Sequence, residues 1–193
     1  MEIPAEAFTA IIEELRRKPL EKNKYRIEAG QGRSQAFGLV NKRCLPVDYS
    51  RQCWKRPYLY KLLLDFAEKY VGIPYTSITV NQNYLSTKHR DKNNQGDSFL
   101  VAFGNYSGGG LKIWEGPREG IHDIKNKPIV DDFSKIYHSV EPFEGERYSL
   151  VFYTLKLKIP EGIPEPSVVE QDGKWFFKRG QEVCEGLPHP LRR

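Results

Sequence analysis

An α+β fold is predicted, with helices ahead of a β-sandwich or jelly-roll core, and a change of texture along the chain predicts it. Up to about residue 73 the apolar residues recur at helical spacing. After Pro74 the sequence breaks into short β-rich runs divided by Gly, Asn and Pro. The 193 residues, 39% hydrophobic and 12% aromatic, suffice for one domain with its own core. No internal linker interrupts them, so residues 1–193 read as a single domain: a helical part to about 73, a β core over about 74–160 and an irregular C-terminal part.

"FTAIIEELRRKP" reads as the first helix. Phe8, Ile11, Ile12 and Leu15 share a face, and Pro19 follows its end. "RPYLYKLLLDFAEKYVG" reads as the second, with Pro57 in the first turn, Leu59, Leu62, Leu63, Phe66 and Tyr70 at helical spacing, and Gly72 at the exit. The strand-like runs are "TSITVNQNYL", "SFLVAFGNY", "GLKIWEG", "KPIVDDF", "YHSVEPF" and "RYSLVFYTLKL", and "KWFFKR" is a further candidate in the tail. "SGGGL" reads as a turn entering a strand, and "EGIHDIKNK" as a polar loop.

Several classes are excluded. No run approaches 18 apolar residues, so no transmembrane helix is expected, and the amphipathic N-terminus is not a signal peptide. Cys44, Cys53 and Cys184 form no CxxC pair, which argues for reduced thiols, an intracellular (nuclear or cytoplasmic) setting and no thiolate zinc site.

The net charge of +5 is localised. Residues 1–32 carry six basic and six acidic side chains, and residues 61–193 carry 18 of each. The excess lies in 33–56, where Arg33, Lys42, Arg43, Arg51, Lys55 and Arg56 face only Asp48, with Phe37, Tyr49 and Trp54 interleaved. Such a segment is either a polyanion-binding surface, cations on phosphates and rings on bases, or a solvated loop anchored by its aromatics.

The chemistry concentrates in "HRDKNNQGDSF". His89 and Asp91 stand at i and i+2, and on an extended segment their side chains point the same way, so both can meet one ion. His138, 49 residues later in a different strand-like run, supplies a third ligand and completes a 2-His-1-carboxylate set suited to Fe(II). Arg147 and Ser149 repeat the i, i+2 spacing nine residues on, an arginine fork beside a hydroxyl that fits a carboxylate. Taken singly, each of these residues has an ordinary structural reading; their order and combination carry the argument.

His89-x-Asp91, His138 and Arg147-x-Ser149 together resemble the Fe(II)/2-oxoglutarate-dependent dioxygenase superfamily, over roughly residues 75–156. The resemblance implies a double-stranded β-helix, a jelly-roll variant. It implies iron on His89, Asp91 and His138 as the catalytic centre, and 2-oxoglutarate anchored by Arg147 and Ser149, with dioxygen as the other co-reactant. "HRDKNNQGDSFLVAFG", "GGGLKIWEG" and the "H-x-V-x-P-F-x-G-x-R-Y-S-L-V-F-Y" texture are similar to the TET/JBP-type branch, which oxidises the methyl group of 5-methylcytosine or thymine in nucleic acid. Tyr153 stands where AlkB-type demethylases carry a second arginine, and Arg147 differs from the lysine anchor usual in prolyl hydroxylases.

On that reading nucleic acid, DNA in the first place, is the expected partner. Arg33, Arg43 and Lys55 are candidates for phosphate contacts and Trp54 for stacking or wedging. Asn81 is a candidate on the substrate side of the pocket, and Asn83 and Tyr84 on the cosubstrate side. If the strand stays regular, Asn81, Asn83 and Leu85 share the face of His89. A protein or small-molecule hydroxylase of the same fold, and a non-catalytic nucleic-acid-binding module, are the alternatives.

Overall fold

The computed structural model describes residues 1–22, 30–42 and 45–179, and the backbone of 182–184. Arg43, Cys44 and His189 lie outside the described residues.

A 3-10 turn (Ala5–Phe8) leads into α1 (Thr9–Arg17), which buries Ile11 and Leu15. α2 (Arg51–Lys55) is capped by Ser50, whose hydroxyl accepts the Gln52 N–H, satisfying one of the donors a helix start leaves over. α3 (Pro57–Tyr70) begins with Pro57, where a missing N–H costs nothing, and buries Leu59, Tyr60, Leu63, Phe66 and Ala67.

The strands are β1 (Gly30–Val40), β2 (Asp48–Tyr49), β3 (Ser77–Ser86), β4 (Ser98–Gly108), β5 (Leu111–Ile113), β6 (Gly120–His122), β7 (Ile129–Asp131), β8 (His138–Val140), β9 (Phe143–Tyr153), β10 (Pro166–Gln171), β11 (Lys174–Arg179) and β12 (Glu182–Cys184). A six-stranded sheet runs β2-β1-β3-β9-β4-β7, a small sheet runs β6-β5-β8, and β10-β11-β12 form a third. The chain passes between the first two repeatedly. β3, β4, β7 and β9 lie in the large sheet, whereas the His89 segment, β5, β6 and β8 lie in the small one, His89 bridging to His138. This alternation is a jelly roll, the double-stranded β-helix.

Period-2 alternation assigns the layers. From β4 and β9, Phe99, Val101, Phe103, Tyr148, Leu150 and Phe152 face the helices and join a core reaching from Ile3 to Phe177. Leu100, Ala102 and Tyr106 face the other way and pack with Leu111 and Ile113 of the small sheet, Ile129 and Phe133. Phe8 stacks on Phe103 at 4.3 Å, fixing α1 to the sheet; burying such a ring contributes about 2–3 kcal/mol.

Three expectations are corrected. Residues 30–40, expected within the helical part, form β1; their Gly- and Gln-rich sequence has little strand signal, and pairing with β3 over Gly30–Gly38 supplies the order instead. "EGIHDIKNK" is not all loop, since Gly120–His122 pair with β5. The described residues of the C-terminal part are not irregular throughout: β10 and β11 pair along six residues, and Phe177 sits fully buried against Tyr49, Trp54 and Tyr60.

Candidate metal centre

His89 and His138 are an antiparallel backbone pair. Each N–H donates to the other's carbonyl, at 3.0 Å and 2.9 Å. The pairing places the imidazoles side by side, centroids 4.3 Å apart. Each ring is then oriented by its own backbone: Nδ1 of His89 meets the Thr87 carbonyl at 2.6 Å, and Nδ1 of His138 the Ile136 carbonyl at 3.0 Å. A carbonyl only accepts, so Nδ1 carries the proton in both rings and Nε2 is the lone-pair nitrogen.

Both Nε2 atoms turn toward Asp91. His89 Nε2 lies 3.4 Å from Oδ1, and His138 Nε2 lies 3.8 Å from Oδ2. These separations exceed a hydrogen bond yet fall below the roughly 4.2 Å that two ligands about 2.1 Å from one ion can span. One ligand atom from each of the three residues lies within 4.8 Å of the others. Asp91 is held by its N–H on the Phe133 carbonyl at 3.0 Å, and the polar run after it is a turn tied to the end of β9, Gln95 N–H donating to Thr154. Burial holds the His138 imidazole below its ordinary range, opposed by the Asp91 carboxylate and reinforced by His89, so it stays neutral and ligand-competent near pH 7. Two imidazoles and a carboxylate, with no thiolate beside them among the described residues, fit a divalent iron ion.

Arg147 and Ser149 leave β9 on the face of Val151, toward the small sheet. Arg147 is 1% exposed. Its Nε–H donates to the Gly109 carbonyl at 3.2 Å, and its guanidinium lies 5.4 Å from the Tyr106 ring and 5.6 Å from that of Phe143. Nη2 is buried with no hydrogen-bond partner, and among the described residues no carboxylate pairs with this cation. Desolvation by burial lowers its pKa from the ordinary guanidinium value. An uncompensated buried charge costs several kcal/mol, which an incoming carboxylate would offset. Gly109 makes room for the fork: its φ is +67°, and a Cβ there would stand 2.8 Å from Arg147 Nε.

The other expected residues divide. Asn81 donates to Ser149 Oγ at 3.0 Å, which joins it to the pocket-facing side of β9. Asn83 departs from the alternation: its φ of +49° breaks the strand at a bulge opposite Gly32, and its side chain accepts the Arg147 backbone N–H at 2.9 Å. It therefore positions the backbone of Arg147. Tyr84, half-buried, lies over Gly30 of β1.

Residues 33–56 are not the open basic strip that their composition suggested. Trp54 is buried, 4.7 Å from Phe177 edge to face, so no base can stack on it. Arg33 donates to the Leu20 carbonyl, Lys55 pairs with Glu21 at 2.9 Å, Lys42 with Asp48 at 3.3 Å, and the buried Arg56 with Glu14 at 3.3 Å. The partners come from segments outside the strip or from its single acid, which a local charge count overlooks. Arg43 lies outside the described residues. The cations and rings that do stand beside the metal ligands, Lys88, Arg90, Lys112, Trp114 and Tyr137, were missed; "KHRD" and "IYH" held the signal, basic and aromatic residues alternating with ligands.

No protein-family model and no curated protein matches the chain. Solved structures do. NgTET1 in complex with 5mC DNA matches with a TM-score of 0.56 at 15% identity, covering 80% of this chain and 69% of that one. A Pseudomonas putida prolyl-4-hydroxylase matches with a TM-score of 0.50 at 17% identity, covering 81% and 89%. No helix among the described residues is long and apolar enough to cross a membrane. In fold the chain is similar to both of these structures, and on that fold it brings His89, Asp91 and His138 together as a set that could hold a metal ion.

Proposed function

We propose that the chain is an Fe(II)- and 2-oxoglutarate-dependent dioxygenase that hydroxylates a C–H bond, with the methyl group of a pyrimidine base (5-methylcytosine or thymine) in nucleic acid as its substrate. The observation that carries the enzyme class is the pairing of the triad with a buried arginine that has no anion among the described residues, both toward the interior between the two sheets. His89, Asp91 and His138 would hold the iron, and their Nδ1–carbonyl bonds keep the rings from turning. Arg147 would take the distal carboxylate of 2-oxoglutarate with its unpartnered Nη2, beside Ser149, while Tyr106 and Phe143 exclude water from that end. Iron, 2-oxoglutarate and dioxygen together supply C–H hydroxylation coupled to decarboxylation of the cosubstrate to succinate.

The nucleobase substrate is supported by the NgTET1 structure, a complex with 5mC DNA. Protein hydroxylation is the second reading, supported by the prolyl-4-hydroxylase likeness. One assay separates them. Succinate is measured with Fe(II), 2-oxoglutarate and dioxygen plus a 5-methylcytosine oligonucleotide, a thymine oligonucleotide, a proline-rich peptide or nothing. The proposal expects succinate matched by an added oxygen atom on the oligonucleotide. Stimulation by peptide alone would replace the substrate, and no 2-oxoglutarate turnover under any condition would remove the enzyme class. His89→Ala, Asp91→Ala and His138→Ala should each abolish turnover, and Arg147→Lys should raise the 2-oxoglutarate requirement at least tenfold, because an ammonium cannot reproduce the fork.

A further inference from the structure

The outer face of the small sheet, behind the metal ligands, carries a cluster that the site chemistry does not use. His89 and Asp91 turn their ligand atoms toward His138, whereas Lys88 and Arg90, which alternate with them, lie over the rings of Trp114 and Tyr137. On β8 His138 faces inward while Ser139 and the preceding Tyr137 lie on neighbouring positions, and Lys112 of β5 pairs with Ser139. Trp114 follows β5 on the same side. Its indole N–H donates to Ser139 Oγ at 2.9 Å, which fixes the ring, and it remains 38% exposed.

Three cations crowd these rings. Lys112 Nζ is 3.9 Å and Lys88 Nζ 4.5 Å from the Trp114 centroid. The Arg90 guanidinium is 4.2 Å from the Tyr137 centroid and donates to its hydroxyl at 3.1 Å. Among the described residues, none of the three forms an ion pair with a carboxylate. Glu115, whose carboxylate accepts the Tyr137 backbone N–H at 3.1 Å, is the acid in contact with the group. The cluster is therefore positive, with an immobilised, partly exposed indole between two lysines.

We propose that this face holds a single-stranded segment of nucleic acid, its phosphates drawing Lys88 and Lys112 off the Trp114 ring, a base stacking on the ring in their place and Arg90 bracing Tyr137. Charge complementarity names the occupant's sign, and the fixed ring selects a nucleic acid over an acidic peptide. A base has a π-face for it, whereas a carboxylate needs only the cations. The inference rests on the nucleobase reading given above and names its binding surface.

The test measures binding of the full chain to a fluorescein-labelled single-stranded 5-methylcytosine oligonucleotide across a salt series, with a Glu-rich peptide of equal charge as the second probe. Lys88→Gln/Lys112→Gln should lower oligonucleotide affinity at least tenfold at low salt. It should also shallow the slope of log K against log salt by about 1.4, near 0.7 per lost phosphate contact. Trp114→Ala should lower affinity about tenfold with the slope unchanged, and Lys88→Arg/Lys112→Arg should bind as wild type, which separates charge from folding. Arg51→Gln/Lys55→Gln, on the 33–56 strip, should bind as wild type too. The inference is overturned if wild type does not bind the oligonucleotide, if the glutamine pair binds it normally, or if the peptide loses as much affinity as the oligonucleotide. Calorimetry of 2-oxoglutarate with Mn(II) as a redox-silent ion tests the reading beneath it separately. Binding of ion and 2-oxoglutarate there, together with failure of the oligonucleotide arms, sinks only the surface, whereas no binding of ion and 2-oxoglutarate sinks the dioxygenase.

Discussion

Trp54 and Trp114 each stand among basic residues in the sequence, yet Trp54 is 6% exposed against Phe177 and Trp114 is 38% exposed between two lysines. The same contrast holds for the charges around them. In the 33–56 strip, Lys42, Lys55 and Arg56 are matched by Asp48, Glu21 and Glu14, and Arg33 is spent on a backbone carbonyl. On the outer face of the small sheet, Lys88, Arg90 and Lys112 lie over rings, and rings do not neutralise them. Net local charge thus separates the regions wrongly. What separates them is where the fold delivers carboxylates: Lys42, Lys55 and Arg56 of the strip each have one, and among the described residues Lys88, Arg90 and Lys112 have none.

The two tryptophans give the sharpest way to break this comparison. Trp54→Ala should cost about 3–5 kcal/mol of stability in urea unfolding, because it empties a packed site beneath β11. Trp114→Ala should stay within about 1 kcal/mol while losing oligonucleotide affinity. Equal stability losses would show that Trp114 is as structural as Trp54.

Glu14→Gln should follow, at about 3 kcal/mol. It strips the Arg56 guanidinium, 4% exposed at its side chain, of its carboxylate, when Nε and Nη1 already lack partners. If Arg56 instead served phosphates, the same change would strengthen oligonucleotide binding, which a salt titration would reveal.

The smallest effect is a pH dependence. Burial disfavours the Asp48 carboxylate, but the Tyr49 N–H, Lys42 and Arg179 outweigh that and hold its pKa below the ordinary aspartate value. A depressed folded pKa means the contribution is complete above the unfolded value, about 3.9, and is lost as pH falls through the folded one. The urea midpoint should therefore drop on acidification below about pH 4. Asp48→Asn should flatten that part of the profile; an unchanged profile would free Lys42 from its assigned partner.

Much of the jelly roll was legible because its signals are local. Pro57 and the apolar spacing after it mark α3, and the alternation of "SFLVAFGNY" marks β4, whose two faces feed two cores. The triad was legible as an order of residue types, with same-side spacing for His89 and Asp91. The structure adds the direct backbone pairing of His89 with His138, which no spacing contains. What stayed hidden depends on distant partners. β1 is ordered by β3 in spite of its glycines, and Trp54 is covered by Phe177 from a hairpin far along the chain. Asn83 was hidden for a different reason: one left-handed residue cancels the alternation on which its orientation was argued.

The reciprocal hydrogen bonds between His89 and His138 make two amide protons a gauge of the pocket. β5, β6 and β8 are three residues long each, whereas β4 and β9 pair over ten positions, so the small sheet should exchange with solvent before the large one. An ion shared by the side chains of that same pair closes a long loop at the point where the backbone is weakest. It would slow exchange at residues 89 and 138 in proportion to its occupancy while leaving the ladder between β4 and β9 almost untouched.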